Sequence, residues 1–104
     1  MIYIIDIDGT ICEEDGDFEN FKTDEDWRNY YLNCKPIEEN IAKLRELFSK
    51  NHRIIIYTSR RSQDLGATKS WLAVHRVPYH ELQFDKPRAD YYVDTNNLRP
   101  EEII

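Results

Sequence analysis

Two short apolar runs constrain the fold of this chain more than any other feature. They occupy residues 2–7 and residues 53–57 and are rich in isoleucine. A run without regular polar alternation is typical of a strand buried on both faces, as in a parallel sheet. Parallel strands need long crossover connections, which are usually helices. The pattern therefore predicts a three-layer α/β fold, with a mostly parallel sheet covered by helices.

Helical and strand signals between and after these runs fill in the order of elements. A helix is expected to begin after Thr23, which has the side chain of an N-cap, and a second helix at Pro36. A third helix is expected over residues 64–75, followed by a strand over residues 79–84 and a short fourth strand at residues 91–93. The predicted order is β-α-α-β-α-β-β, and a ligand site is expected at the carboxyl ends of its strands.

Composition excludes several classes of protein. The chain has 104 residues, which predicts a single domain over residues 1–104, and its formal net charge of −6 argues against binding nucleic acid or an anionic membrane. Its apolar runs are too short to cross a bilayer. Two cysteines, Cys12 and Cys34, do not make a disulfide framework. We therefore expect a cytoplasmic protein with neither a nucleic-acid nor a membrane partner.

Polar side chains follow each predicted strand. Asp6 and Asp8 end the first strand, Thr58 follows the second, Lys86 the third and Asp94 the fourth. Converging carboxylates repel each other unless a cation lies among them, and an all-oxygen ligand set suits Mg²⁺. An ammonium and a hydroxyl beside Mg²⁺ can bind a phosphoryl group. In Asp-x-Asp the two carboxylates face the same way, so one can attack phosphorus while the other transfers a proton.

These residues resemble the four motifs of the haloacid dehalogenase-like phosphohydrolases. Asp6-Ile7-Asp8-Gly9-Thr10 is similar to the first motif, and the strand that ends at Thr58 is similar to the second. Lys86 resembles the third motif, and Tyr91-Tyr92-Val93-Asp94 resembles the fourth. The motifs occur in the order of that family and span residues 2–94. The resemblance implies a Rossmann-like core and a phosphatase.

The resemblance also implies a role for each matching residue. Asp6 is expected to be the nucleophile that forms an aspartyl-phosphate, and Asp8 the general acid and base. Thr58 is expected to bind phosphoryl oxygens, and Lys86 to neutralise charge. Mg²⁺ would be held by Asp6, by the main-chain carbonyl of Asp8 and by Asp94.

Further residues are expected to contact the substrate. They are Gly9 and Thr10 in the turn after the first strand, and Ser59 and Arg60 after the second. Arg60 is expected to bind a second anionic group of the substrate or to pair with the acidic loop at residues 13–17.

The spacing of the motifs bears on the substrate. The segments between Thr10 and Thr58 and between Thr58 and Lys86 are too short for the cap domain that many relatives carry, so an open site is expected. The runs Thr58-Ser59-Arg60 and Lys86-Pro87 look most like small phosphatases of capsule and surface polysaccharide biosynthesis. The resemblance thus implies a small-molecule phosphomonoester substrate, such as a sugar phosphate. An open site with an aromatic-rich surface also allows a homodimer.

One departure from the family keeps other interpretations open. Thr95 follows Asp94 where a second acid is common, which removes one charge from the expected metal site. A non-catalytic binding domain is therefore an alternative. A signalling receiver domain, phosphorylated on aspartate, is another alternative. It is disfavoured because the candidate nucleophile lies in the first strand and Thr58, not an aspartate, ends the second.

Overall fold

The computed structural model of this protein describes residues 1–103. It contains three strands and three α-helices: β1 (Ile2–Ile5), α1 (Asp24–Asn33), α2 (Glu38–Ser49), β2 (Arg53–Tyr57), α3 (Leu65–Val74) and β3 (Glu81–Gln83). Three single turns of 3₁₀-helix lie at Phe18–Asn20, Ser62–Asp64 and Pro100–Glu102. Within these residues, no helix combines the length and the apolar character that crossing a membrane requires.

The three strands form one parallel sheet in the order β1-β2-β3. Ile5 pairs with Ile56, and Ile56 pairs with Leu82. α1 and α2 lie in the connection from β1 to β2, and α3 lies in the connection from β2 to β3. The α/β fold and the parallel sheet predicted from the sequence are confirmed.

The described residues form two layers, so the prediction of three layers is wrong. Ile54 and Ile56 of the central strand are fully buried, whereas Ile2 and Ile4 on the opposite face are 65% and 64% exposed. Crossovers between parallel strands are right-handed, and the order β1-β2-β3 advances in one direction. Both crossovers therefore place their helices on the same face. The core lies between that face and residues of all three helical segments: Cys34, Ile41, Leu44, Leu47, Trp71 and Leu72.

The predicted fourth strand is absent from the described chain. Residues 91–93 form no strand, and Tyr91 and Val93 are 86% and 97% exposed. After β3, Asp85 adopts a left-handed conformation with φ of 59°, and Pro87 has no N–H to donate to a strand ladder. The chain therefore leaves the sheet and crosses its carboxyl end.

Local contacts determine where α1 and α2 begin. Thr23 Oγ1 accepts from the Asp26 amide at 3.1 Å, and the Asp26 carboxylate accepts from the Thr23 amide at 3.0 Å. This capping box confirms the predicted start of α1. α2 begins at Glu38, two residues after Pro36, because Pro36 instead pairs with Cys12 in an isolated bridge. That bridge ties the loop after β1 to the start of α2.

Candidate active site

A cleft with a volume of about 400 Å³ lies at the carboxyl ends of the strands. Asp6, Asp8 and Ser59 line it at the ends of β1 and β2. The other lining residues come from the loop after β1, from α1 and from the segment after β3: Glu14, Phe18, Trp27, Tyr30, Tyr31, Arg88, Ala89 and Tyr92. The cleft therefore lies where the sequence places the site, although the strand order does not reverse there.

Asp6 is the first residue after β1 and is half-buried. Burial raises the pKa of this carboxyl above its ordinary value of 3.8, and the charge of Asp8 adds to the effect. The Ile7 amide, which donates to Asp6 Oδ1 at 2.8 Å, and the nearby Lys86 act in the opposite direction. A desolvated carboxylate with one cation near it is a stronger nucleophile than a fully hydrated one.

Asp8 is held by Arg60. Arg60 Nε donates to Asp8 Oδ2 at 3.0 Å, and Nη2 donates to Oδ1 at 2.8 Å. The Arg60 side chain is 1% exposed, and Nη1 donates to Thr68 Oγ1 at 3.2 Å. Burial lowers the pKa of Arg60, but the hydrogen bonds and charge of Asp8 outweigh it, so the pKa is raised. Arg60 therefore holds Asp8 from within the protein and does not line the cleft, contrary to its predicted contact with substrate.

Two thiols adjoin this pair. One ligand atom from each of Asp8, Cys12 and Cys34 lies within 4.8 Å of the others, and both cysteines are buried. A hydrogen bond with Cys34 and burial raise the pKa of Cys12, while the same hydrogen bond lowers the pKa of Cys34. Arg60 Nη2 lies 3.7 Å and 3.9 Å from the two sulfurs. Sulfur donors do not suit Mg²⁺, and the Arg60 guanidinium already balances the charge of the Asp8 carboxylate. This group is therefore not a magnesium site.

The two residues that follow β2, Thr58 and Ser59, differ in their access to the cleft. Thr58 is fully buried, and its Oγ1 accepts from the Arg60 amide at 3.1 Å. Ser59 lines the cleft. The structure thus brings Ser59 to the cleft and leaves the Thr58 hydroxyl behind it.

The turn after Asp8 is closed by its own hydrogen bonds. Gly9 has φ of 83°, a conformation that favours glycine, and its amide donates to Cys12 O at 2.9 Å. The Thr10 amide donates to Ile7 O at 3.0 Å. These two amides are therefore engaged within the turn and do not point freely toward a phosphate.

Lys86 lies close to two tyrosine rings, of which Tyr92 lines the cleft. Its ammonium is 4.2 Å from the ring centroid of Tyr92 and 5.9 Å from that of Tyr57. Its amide donates to Thr58 O at 2.9 Å, which fixes the segment after β3 to the end of β2. The charge of Lys86 lowers the pKa of Asp6, so the two groups are close enough to interact.

Asp94 is exposed and does not line the cleft. Among residues 1–103, the only three metal-type side chains that approach within 4.8 Å of one another are Asp8, Cys12 and Cys34. That group includes neither Asp6 nor Asp94. The carboxylate and main-chain oxygens of residues 6–8 suit Mg²⁺, and Asp94 is exposed outside the lining of the cleft.

An aromatic wall and a cation also line the cleft, and sequence reasoning missed the cation, Arg88. The aromatic wall consists of Phe18, Trp27, Tyr30 and Tyr31, which contact one another with ring centroids 5.3–6.4 Å apart. Trp27, Tyr30 and Tyr31 belong to α1. Arg88 and Tyr92 face this wall across the cleft from the segment after β3. The available signal was a basic pair, Lys86 and Arg88, in an acidic chain.

Comparisons with known proteins place the fold. No family model matches the chain, and no curated protein sequence matches it. The crystal structure of a target protein from Vibrio cholerae matches with a TM-score of 0.75 and 27% identity, over 98% of this chain and 85% of that one. A chain in the structure of a Pnkp1/Rnl/Hen1 complex matches with a TM-score of 0.61 and 19% identity, over 89% of this chain and 30% of that one. These solved proteins share its fold.

Proposed function

We propose that this chain is a capless haloacid dehalogenase-like phosphohydrolase that hydrolyses phosphomonoesters through an aspartyl-phosphate. The observation that carries the proposal is the position of Asp6 and Asp8 together at the cleft, within the sequence Asp6-Ile7-Asp8-Gly9-Thr10. The half-buried Asp6 carboxylate lies near the Lys86 ammonium, a pairing that suits attack on a phosphoryl group.

In the proposed reaction, an Asp6 carboxylate oxygen attacks phosphorus and the bond from phosphorus to the leaving oxygen breaks. Asp8 gives its proton to that oxygen, so the leaving group departs as an alcohol. Asp8 then takes a proton from water, which attacks the aspartyl-phosphate and releases phosphate and free Asp6. The two hydrogen bonds from Arg60 orient Asp8 for both transfers.

The remaining residues are assigned either to binding the phosphoryl group or to supporting the residues that do. The Lys86 ammonium balances its charge, and the Ser59 hydroxyl is placed to donate to it from the cleft lining. Thr58 supports the site from behind by fixing the Arg60 amide. Gly9 and Thr10 shape the turn that positions Asp8.

Mg²⁺ belongs to the proposal as the cofactor. The Asp6 carboxylate and the main-chain carbonyl of Asp8 would hold it, with Asp94 as the proposed third ligand. When bound, it supplies positive charge that stabilises the phosphoryl oxygens.

The cleft volume and the net charge of −6 bear on the substrate. A cleft of about 400 Å³ fits a small molecule, and the negative charge disfavours nucleic acid and anionic membranes. A sugar phosphate is the proposed substrate, in line with the resemblance to polysaccharide-biosynthesis phosphatases, and the cytoplasm is the proposed location. A homodimer stays a prediction.

The test is phosphate release from a panel of phosphomonoesters, with Mg²⁺ and with chelator. We expect metal-dependent turnover by the wild type that Asp6→Asn abolishes. Asp15→Asn, which neutralises an exposed acid of the loop after β1, serves as the matched control. Acid-stable phosphate trapped on the protein after quenching would identify the intermediate, and its absence from Asp6→Asn would assign the site.

The position of Asp94 favours one alternative, a binding domain without turnover. Asp94 is exposed and does not line the cleft, and without it a metal at Asp6 and Asp8 would be held by two ligands. Failure of the folded wild type to release phosphate from every compound with Mg²⁺ in excess would support this alternative over the phosphatase. A stable phosphoprotein without turnover would instead indicate the signalling alternative.

A further inference from the structure

A second, smaller cavity adjoins the cleft. It has a volume of about 150 Å³ and is lined by Trp27, Tyr31, Arg61 and Arg88. Trp27, Tyr31 and Arg88 also line the cleft that contains Asp6 and Asp8. The two cavities therefore adjoin each other at these three residues.

Two arginines line the smaller cavity, and they differ in their partners. Arg61 Nε lies 3.2 Å from Asp64 Oδ2, and Arg61 Nη2 lies 3.3 Å from Asp24 Oδ1. Arg88 makes no salt bridge within residues 1–103, and it is exposed. An arginine without a carboxylate partner has all five donors available to an anion.

Two of the residues shared by the cavities are aromatic. Trp27 and Tyr31 pack with ring centroids 5.8 Å apart, and the Arg60 guanidinium covers the Tyr31 ring at 4.1 Å from inside the protein. Burial and the charge of Asp8 raise the pKa of Tyr31 to about 12, whereas Arg60 and Arg88 act in the opposite direction. Tyr31 is therefore neutral at physiological pH, and the wall offers apolar ring surface between two polar ends.

We propose that the smaller cavity is a subsite for a second anionic group on the substrate, with Arg88 as its specificity-determining ligand. This inference rests on the proposed phosphatase function and names the substrate class: a phosphorylated ring, such as a sugar, that carries a second phosphate or a carboxylate. The phosphoryl group that is removed lies at Asp6, the ring packs against Trp27, and the second anion lies at Arg88. Arg60, buried behind Asp8, is not available for that role.

Three compounds with the same ring separate the possibilities: glucose 1-phosphate, glucuronic acid 1-phosphate and glucose 1,6-bisphosphate. Their affinities are measured by calorimetry on Asp6→Asn protein, which holds the substrate without hydrolysis. We expect at least one of the two doubly anionic compounds to bind about ten-fold or more tighter than glucose 1-phosphate, since hydrogen bonds to charged groups are strong. The comparison between them tells whether the subsite takes a carboxylate or a phosphate.

Arg88→Gln in the same background should reduce that preference to within about two-fold, because the neutral amide cannot balance the anion. Arg28→Gln is the matched control, since Arg28 is exposed on α1 and lines neither cavity. Equal affinity for the three compounds, or a preference that survives Arg88→Gln, would overturn the subsite. Absence of turnover by the wild type on all three would count against the phosphatase, whereas turnover without a preference would count against the subsite alone.

Discussion

Arg60 and Asp8 form a two-point ion pair in which both carboxylate oxygens accept from one guanidinium, at 2.8 Å and 3.0 Å. The pair joins the loop after β1 to the end of β2, and Arg60 is buried while Asp8 reaches the cleft. A carboxylate held at both oxygens keeps one orientation toward the cleft.

Arg60→Met should lower the free energy of unfolding by about 2–4 kcal/mol, because it removes one partner of a buried pair and leaves Asp8 without its donors. Arg60→Lys should recover part of the loss but not the two-point geometry. Urea unfolding followed by tryptophan fluorescence measures both. Arg53→Met is the matched control. Arg53 pairs with Glu81, and both side chains are about half exposed, so its cost should stay below about 1 kcal/mol.

The same variants should change the proposed activity in a defined way. Arg60→Lys is expected to lower kcat more than it raises KM, because Asp8 loses its orientation while the cleft lining is unchanged. A simple loss of folded protein would instead leave kcat unchanged once it is divided by the folded fraction from the unfolding measurement.

The raised pKa of Asp6 predicts a gain in stability when its charge is removed. A carboxyl whose folded-state pKa lies above its unfolded value is protonated more easily when folded, so stability falls as pH rises from the unfolded toward the folded pKa. At pH 7 and without added metal, Asp6→Asn should therefore raise the free energy of unfolding, by about 0.5–2 kcal/mol. The gain should vanish as pH falls below the ordinary value of 3.8, where Asp6 is neutral in both states.

The same unfolding measurement, repeated with added Mg²⁺, tests whether Asp6 binds the metal. A cation that binds only the folded state stabilises it, so Mg²⁺ should stabilise the wild type more than Asp6→Asn. Asp15→Asn should match the wild type both in its stability without metal and in its stabilisation by Mg²⁺. A decrease in stability of Asp6→Asn at pH 7 would contradict the electrostatic account of Asp6.

Much of the fold follows from short-range signals in the sequence. The apolar run of residues 53–57 gives β2 with its bounds unchanged, and Thr23 starts α1 through its capping box. The run at residues 2–7 misled the prediction of layers, because Ile2 and Ile4 are as apolar as residues of a doubly covered strand. Which face the helices cover depends on strand order, and strand order is not encoded in any one segment.

The candidate site, like the fold, could be predicted from the sequence only in part. The short spacing from Asp6 to Asp8 places both at one strand end, which a sequence pattern can predict. The partners of Arg60 could not be predicted, because the distance of 52 residues between Arg60 and Asp8 closes only in the folded chain. Tyr92 was assigned to a strand on its local β-propensity, yet its ring packs against Lys86 at the cleft.

The two thiols should be unreactive in the folded protein. Cys12 is fully buried and Cys34 is 5% exposed, and burial together with a hydrogen bond raises the pKa of Cys12. Alkylation by N-ethylmaleimide at pH 7, followed by mass spectrometry, should give unmodified protein under native conditions and two additions in urea. The lowered pKa of Cys34 favours its thiolate, but reagent cannot reach a sulfur that is covered. Rapid single addition to native protein would contradict this packing.

The aromatic wall depends on a glycine in the acidic loop. A Cβ at Gly16 would lie 2.6 Å from Tyr30 Cε1 and 2.7 Å from Phe18 Cε1, so Gly16→Ala must displace these rings. We expect a loss of about 1–3 kcal/mol in the free energy of unfolding from this overpacking, and weaker substrate binding because both rings line the cleft.

Gly66→Ala is the opposite case and serves as the control. Gly66 is exposed near the start of α3, and nothing lies within 4 Å of a Cβ built there. Alanine should therefore stabilise the helix by about 0.5–1 kcal/mol and leave substrate binding unchanged. Opposite signs for the two glycines, measured by urea unfolding, would establish that the loop of residues 13–17 is packed against the aromatic wall. Similar small effects from both variants would mean that the loop moves freely away from Tyr30.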